Sequence, residues 1–132
     1  MPSKIPNEGE IRLAERALSS NLELRLFVNN LTPVDASVLA DFTEMSTHGY
    51  AAKTLTGGSW SVSTVSGKAE ASYAQQTFSF TAATAVLVYG YYIVDTGAGK
   101  VVQAERFASP QTIELLGDAI RITPKITFAT ES

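Results

Sequence analysis

A strand that is apolar on both faces must be covered on both, and Val86–Phe107, VLVYGYYIVDTGAGKVVQAERF, contains one. Val86, Val88, Tyr92 and Val94 fall on one side of a period-two pattern, and Leu87, Tyr89, Tyr91 and Ile93 on the other. A strand inside a sandwich, or at a subunit contact, tolerates that pattern; an edge open to water does not. Asp95 and Gly97-Ala98-Gly99 then reverse the chain, since glycine takes positive φ without steric cost. Val101, Val102, Ala104 and Phe107 return as a second arm. The stretch therefore reads as a β-hairpin whose first arm is the central strand of the fold.

The remaining chain supplies short elements to surround it. Glu8–Ser20 has helical spacing, with Ile11, Ala14 and Leu18 on one face and Leu13 and Ala17 beside them. Asn7 reads as its N-cap, with Glu10 three residues on as in a capping box, and Glu8 and Glu10 suit the positive end of the helix dipole. Asn21–Asn29 alternates, with Leu22, Leu24, Leu26 and Val28 inward, Glu23 and Arg25 outward, and Phe27 undecided. Asp35–Met45 reads as a weak helical or irregular segment touching the core through Val38, Leu39 and Phe42, and Thr47-His48-Gly49-Tyr50 as a turn.

From Ala51 short β segments follow one another between turn signals: Ala51–Thr56, Ser59–Thr64 with Trp60 and Val62 on one face, Ala69–Ala74, and Gln75–Thr81 with Phe78 and Phe80 on one face. After the hairpin, Ser109-Pro110 is expected to break the second arm and Ile113–Leu116 to form a short strand. Ala119–Phe128 alternates Ile120, Ile122, Ile126 and Phe128 against Arg121, Thr123, Lys125 and Thr127, so it is expected as one strand with an edge position or a bulge at Pro124. About eight strands at such spacing predict a mainly β chain: an antiparallel β-sandwich, jelly-roll-like, with a short N-terminal helix. An immunoglobulin-like sandwich is the second choice. We expect a flexible arm over residues 1–7 and a single β-sandwich domain over 8–132, with its helix at 8–20.

Composition removes several function classes. There is no cysteine and one histidine, His48, so neither thiolate chemistry nor a zinc site of nitrogen and sulfur ligands is expected within one chain. The ten basic residues are scattered singly and the net charge is −3, which disfavours a nucleic-acid surface. No run approaches the roughly 20 apolar residues of a membrane helix, and the start MPSKIPNEGE lacks a secretory core. No carboxylate pair stands out, although Asp95 and Glu105 are placed to face each other across the hairpin. Gly97-Ala98-Gly99-Lys100 lacks the spacing of a phosphate loop. We expect no enzyme, no cofactor, no metal and no small-molecule substrate. The least ordinary feature is Tyr89, Tyr91 and Tyr92 on one strand, a candidate oligomer interface because tyrosine is enriched at such contacts.

Several stretches carry a resemblance: GYAAKTLTGGSW (49–60), YAQQTFSFT (73–81), VYGYYIVD (88–95), AERF (104–107) and GDAIRITPKITF (117–128), with GEIRLAERAL and NLELRLFVNN before them. In this order they resemble small virion structural proteins of tailed bacteriophages. The resemblance implies a structural role, first of all that of a capsid cement or decoration protein. Such a protein is expected to be a homotrimer, made in the host cytoplasm and seated on the outer surface of the capsid shell, where its partner is the major capsid protein. It also implies a use for the N-terminal arm, with Pro2, Ser3, Lys4, Ile5 and Pro6 ordering across a capsid subunit. A tail- or fibre-associated position, and a carbohydrate-binding module using Trp60 and the tyrosines, are the alternatives.

Overall fold

The computed structural model describes residues 4–81, 84–114 and 118–128, and the chain is mainly β with one N-terminal helix, a β-sandwich-like fold. In order the elements are α1 (Asn7–Ala17), β1 (Leu22–Phe27), a 3-10 turn (Leu39–Asp41), β2 (Lys53–Leu55), β3 (Ser61–Val65) and β4 (Lys68–Ser72). There follow β5 (Gln76–Ser79), β6 (Val86–Asp95), β7 (Lys100–Ile113), β8 (Ala119–Ile122) and β9 (Lys125–Phe128). They form two compact units, each drawn from separated segments of chain.

The first unit takes residues up to Asn21, then Leu55–Gln75, then Thr123 onward. Its sheet has the order β3-β4-β9, all antiparallel, with α1 against β3 and β4. Ala69 and Ala71 of β4 are fully buried, and from α1 so are Ala14 and Leu18. Small residues on the strand let the helix approach closely. The helix differs from expectation at both ends. Pro6 is the N-cap, with the extended backbone its ring favours, and Asn7 is already helical with no side-chain cap bond. Glu10 does not close a capping box: it is buried, and its Oε1 accepts the backbone N–H of Ala69. Leu13 is 55% exposed, so the apolar stripe is narrower than its spacing implied.

Between β3 and β4 the chain turns on Ser66 and Gly67, both at positive φ (51° and 77°), as a two-residue type I′ connection requires. Register then runs unbroken from Val65↔Lys68 to Ser61↔Ser72.

The second unit comprises Leu22–Thr54 and Gln76–Ile122. Its main sheet has the order β2-β1-β6-β7, and β5 pairs with β8 in a second, two-stranded sheet. β6 is central, as expected, with β1 antiparallel on one side (Leu24↔Ile93, Leu26↔Tyr91) and β7 on the other. The hairpin closes where Asp95 accepts the N–H of Ala98 on Oδ1 and that of Gly99 on its carbonyl. Asp95 stands opposite Lys100, and Glu105 opposite Tyr91, so those two carboxylates do not face each other.

Two expectations about proline are corrected. Ser109-Pro110 does not end the second arm, because β7 continues to Ile113, which pairs with Val86. Between Val88↔Gln111 and Gly90↔Arg106 the long strand bulges outward, and Pro110 lies in that bulge, where no ladder bond is asked of it. Of the strand expected at Ile113–Leu116, Leu115 and Leu116 lie outside the described residues. At the other end of the chain, Thr123-Pro124 splits the expected single strand into β8 and β9, which join different sheets. The alternation survives the split, with Ile120, Ile122, Pro124 and Ile126 all buried. The carbonyl of Pro124 accepts the N–H of Tyr73.

Gly90 lets the centre of the main sheet close. A Cβ there would collide with the carbonyl oxygen of Glu105 and lie 2.7 Å from the Phe27 ring. Hydrogen in place of a side chain is what allows that ring to lie over the strand.

Candidate functional site

The main sheet needed a cover for the second face of β6, and the segment between β1 and β2 supplies it. Phe27, resolved here as fully buried, joins Phe42, Tyr92 and Val94 in one cluster, with Leu31, Leu39, Tyr89, Val101 and Ala104 packed around it. The Phe42 ring meets Phe27 edge-on at 5.3 Å. Of the expected contacts from Asp35–Met45, Phe42 is buried, Leu39 is half-buried and Val38 is exposed.

Polar bonds pin this covering segment. Asn29 donates from Nδ2 to the carbonyl of Asp41 and accepts the N–H of Thr43, both at 2.9 Å. Asp41 accepts the N–H of Val38, which closes the 3-10 turn. Arg106 donates to Asn30 Oδ1 at 2.7 Å and to the Leu31 carbonyl at 3.1 Å, while its guanidinium lies 5.3 Å above the Tyr89 ring. Beneath, Arg25 bonds Glu23 at 2.6 Å and lies 3.8 Å from Glu44, which accepts the Tyr50 hydroxyl at 2.8 Å. Burial alone disfavours the charge on Arg25, but bonds to Glu23 and Tyr92 and the charge of Glu44 outweigh it and hold the guanidinium charged. Burial first, then the bond to Glu44, pushes the Tyr50 hydroxyl far above its usual range.

On the outside of this segment, two adjoining depressions sit against the hairpin. One, about 300 Å³, is lined by Pro33, Val34, Asp35, Phe42, Val102 and Gln103, among others. The second, about 490 Å³, runs from Ser37–Ala40 to Gly99–Val101. Val34, Val38 and Val102 stand on their rims at 65%, 55% and 46% exposure. Val102 is pushed out by the register shift between Ile93↔Gln103 and Val94↔Val101. The Oε1 atom of Gln103 is buried with no hydrogen-bond partner. Ser37 and Asp35 line the first depression, and the Ser37 Oγ accepts the N–H of Val34 at 2.9 Å; the valine rims suit apolar contact with a larger partner. Sequence reasoning missed it, although Val34 and Val38, set among Asp35, Ser37 and Asp41, are its signal.

The three tyrosines separate. Tyr92 is 1% exposed, stacked on Phe42 and bonded to Arg25. Tyr91, on the opposite face, is 5% exposed, and its hydroxyl donates to Glu105 at 3.1 Å. Burial, then the charge of Glu105, pushes its hydroxyl above the usual range. Both are core residues of their own chain, Tyr92 beneath the covering segment and Tyr91 on the other face of the sheet; of the expected interface only Tyr89 keeps an accessible part.

Within the arm, Pro2 and Ser3 lie outside the described residues. Lys4, Ile5 and Pro6 are exposed, but Pro6 belongs to the helix start: its carbonyl accepts the N–H of Glu10 at 2.9 Å. Ile5 packs on Gly9.

His48 is not a freely solvated turn residue. It holds φ at 63°, with Nδ1 2.6 Å from the Thr47 hydroxyl and Nε2 2.5 Å from the Thr84 carbonyl. Trp60 is 9% exposed and meets Tyr73 edge-on at 5.3 Å, so it presents no open ring as a sugar platform. Comparison with protein families, with curated proteins and with solved structures gives no match for this chain.

Proposed function

We propose that this chain is a structural assembly protein that grips a larger partner through the valine-rimmed surface of its second unit. The observation that carries the reading is the pairing of exposure with fixation: Val34 and Val38 face solvent with their N–H groups bonded to Ser37 and Asp41, and Val102 faces solvent from strand β7. Apolar side chains held in place before contact lose little entropy on binding. The resemblance in sequence supplies the setting: a virion of a tailed bacteriophage, with the chain as cement or decoration protein on the capsid surface and the major capsid protein as partner. In that setting a homotrimer multiplies modest contacts by avidity.

The test is re-addition of purified protein to capsids that lack it, followed by sedimentation and labelling on the particle. Wild type is expected on the shell. The Val34→Asp/Val38→Asp variant is expected to stay folded and to lose at least about 100-fold in affinity, since about 1.4 kcal/mol is worth tenfold. Labelling on the tail would move the chain to a tail- or fibre-associated place. Full binding by the double variant would remove the valine surface from the reading.

A further inference from the structure

The edges of the sheets are treated unequally. β2 is three residues long and carries Lys53, and β7 is bulged twice and holds Pro110. β8 carries Arg121, β9 carries Lys125 after Pro124, and β5 is only four residues long. These are the usual devices that keep an edge from pairing with another chain. β3, Ser61-Val62-Ser63-Thr64-Val65, has none of them. It is an edge of its sheet, uncharged, without proline and unbroken in register, and Ser61, Ser63, Thr64 and Val65 are exposed.

We propose that β3 pairs antiparallel with β3 of a second copy of this chain, about a twofold axis through Ser63. The two-residue turn at Ser66-Gly67 makes Val65↔Lys68 a hydrogen-bonded pair, so Ser63 and Ser61 also direct their backbone groups to β4. The N–H and C=O groups of Val62 and Thr64 therefore point outward. An axis through Ser63 sets Val62 opposite Thr64 of the second copy, and Thr64 opposite its Val62. Each pair exchanges two backbone hydrogen bonds and matches two β-branched side chains. The strand is thus complementary to itself in the one register that uses all its free groups, and no like charges meet. This is an isologous contact in the first unit, independent of the valine surface.

Solution mass is read for wild type, Ser63→Lys, Ser63→Glu and an equal mixture of the two variants, with urea midpoints to show that each is folded. Ser63 is exposed, so either charge is tolerated by the fold itself. Wild type is expected at a higher mass than Ser63→Lys, twice it where β3 is the one contact between copies, and the mixture is expected to regain the wild-type mass. The chain has no cysteine, so Ser63→Cys is a clean second probe. Facing serines in a non-hydrogen-bonded pair place their Cα atoms about 4.5 Å apart, within disulfide range. Oxidised glutathione should then link Ser63→Cys into a dimer, its own disulfide being reduced, and leave Thr127→Cys unlinked. Equal masses for wild type and Ser63→Lys, or linkage no greater for Ser63→Cys than for Thr127→Cys, would overturn the proposal.

Discussion

The rings of Phe42 and Tyr92 stack with centroids 4.6 Å apart and planes inclined by 17°. Phe42 comes from the segment that covers the sheet, and Tyr92 from the middle of the central strand. Truncating Phe42 removes the cover's main anchor. Phe42→Ala is expected to destabilise the fold by about 3–5 kcal/mol in urea unfolding, and Phe42→Leu by clearly less. Equal, small losses would mean that the cover is held by its polar bonds alone.

Adding one carbon to the central strand should do as much harm as removing a ring. Gly90→Ala brings a methyl group against the Glu105 carbonyl and the Phe27 ring. Overpacking typically costs about 1–3 kcal/mol, and the backbone oxygen cannot turn aside, so the loss is expected at or above that range. Gly58→Ala, where a Cβ has open space but φ is +81°, separates backbone strain from collision.

Tyr91 and Tyr89 make opposite predictions. Tyr91→Ser empties a buried site and leaves Glu105 without its hydroxyl partner, so stability should fall by about 3 kcal/mol or more. Tyr89→Ser should cost clearly less, because part of the ring is already in water and what it loses is packing on the Phe42 cluster and the stack with Arg106. If Tyr89→Ser lowers the solution mass while Tyr91→Ser lowers only stability, the accessible tyrosine is a subunit contact.

Alkaline solution should weaken the fold through Tyr50 and Tyr91. Unfolded tyrosines ionise near pH 10, whereas both folded hydroxyls are held above that value by burial and a carboxylate neighbour. Their contribution is complete below about pH 10 and is lost as pH rises toward the folded values, because the unfolded chain gives up protons that the folded chain keeps. The urea midpoint should drop as pH rises above about 10, less steeply in Tyr50→Phe. An identical slope in that variant would assign the loss to other groups.

Period-two patterns made much of the fold legible. The central strand, the alternation in β1, the Ser66-Gly67 and Asp95–Gly99 turns and the buried pair Phe78 and Phe80 all follow from local spacing. What stayed hidden depends on contacts distant in sequence. Nothing near Glu10 shows that its carboxylate will meet the N–H of Ala69 rather than its own helix end. Pro110 reads as a strand break and Pro124 as an edge or bulge, yet Pro110 rides in a bulge and Pro124 divides two strands, because the paired partner decides. Tyr91 reads as an interface candidate because its partner Glu105 is set by register and not by local spacing, and Tyr92 because its cover, around Phe42, lacks periodicity. The valine surface was missed for the same reason.

One consequence lies in the order of the segments. The chain leaves the first unit after Asn21, returns at Leu55, leaves again after Gln75 and returns at Thr123. Neither unit corresponds to a continuous stretch, so no single truncation isolates either one. During synthesis the first unit must wait for β9, the last strand, before its sheet is complete. A nascent chain that has not yet reached Lys125 would hold α1, β3 and β4 with one side of β4 still without β9.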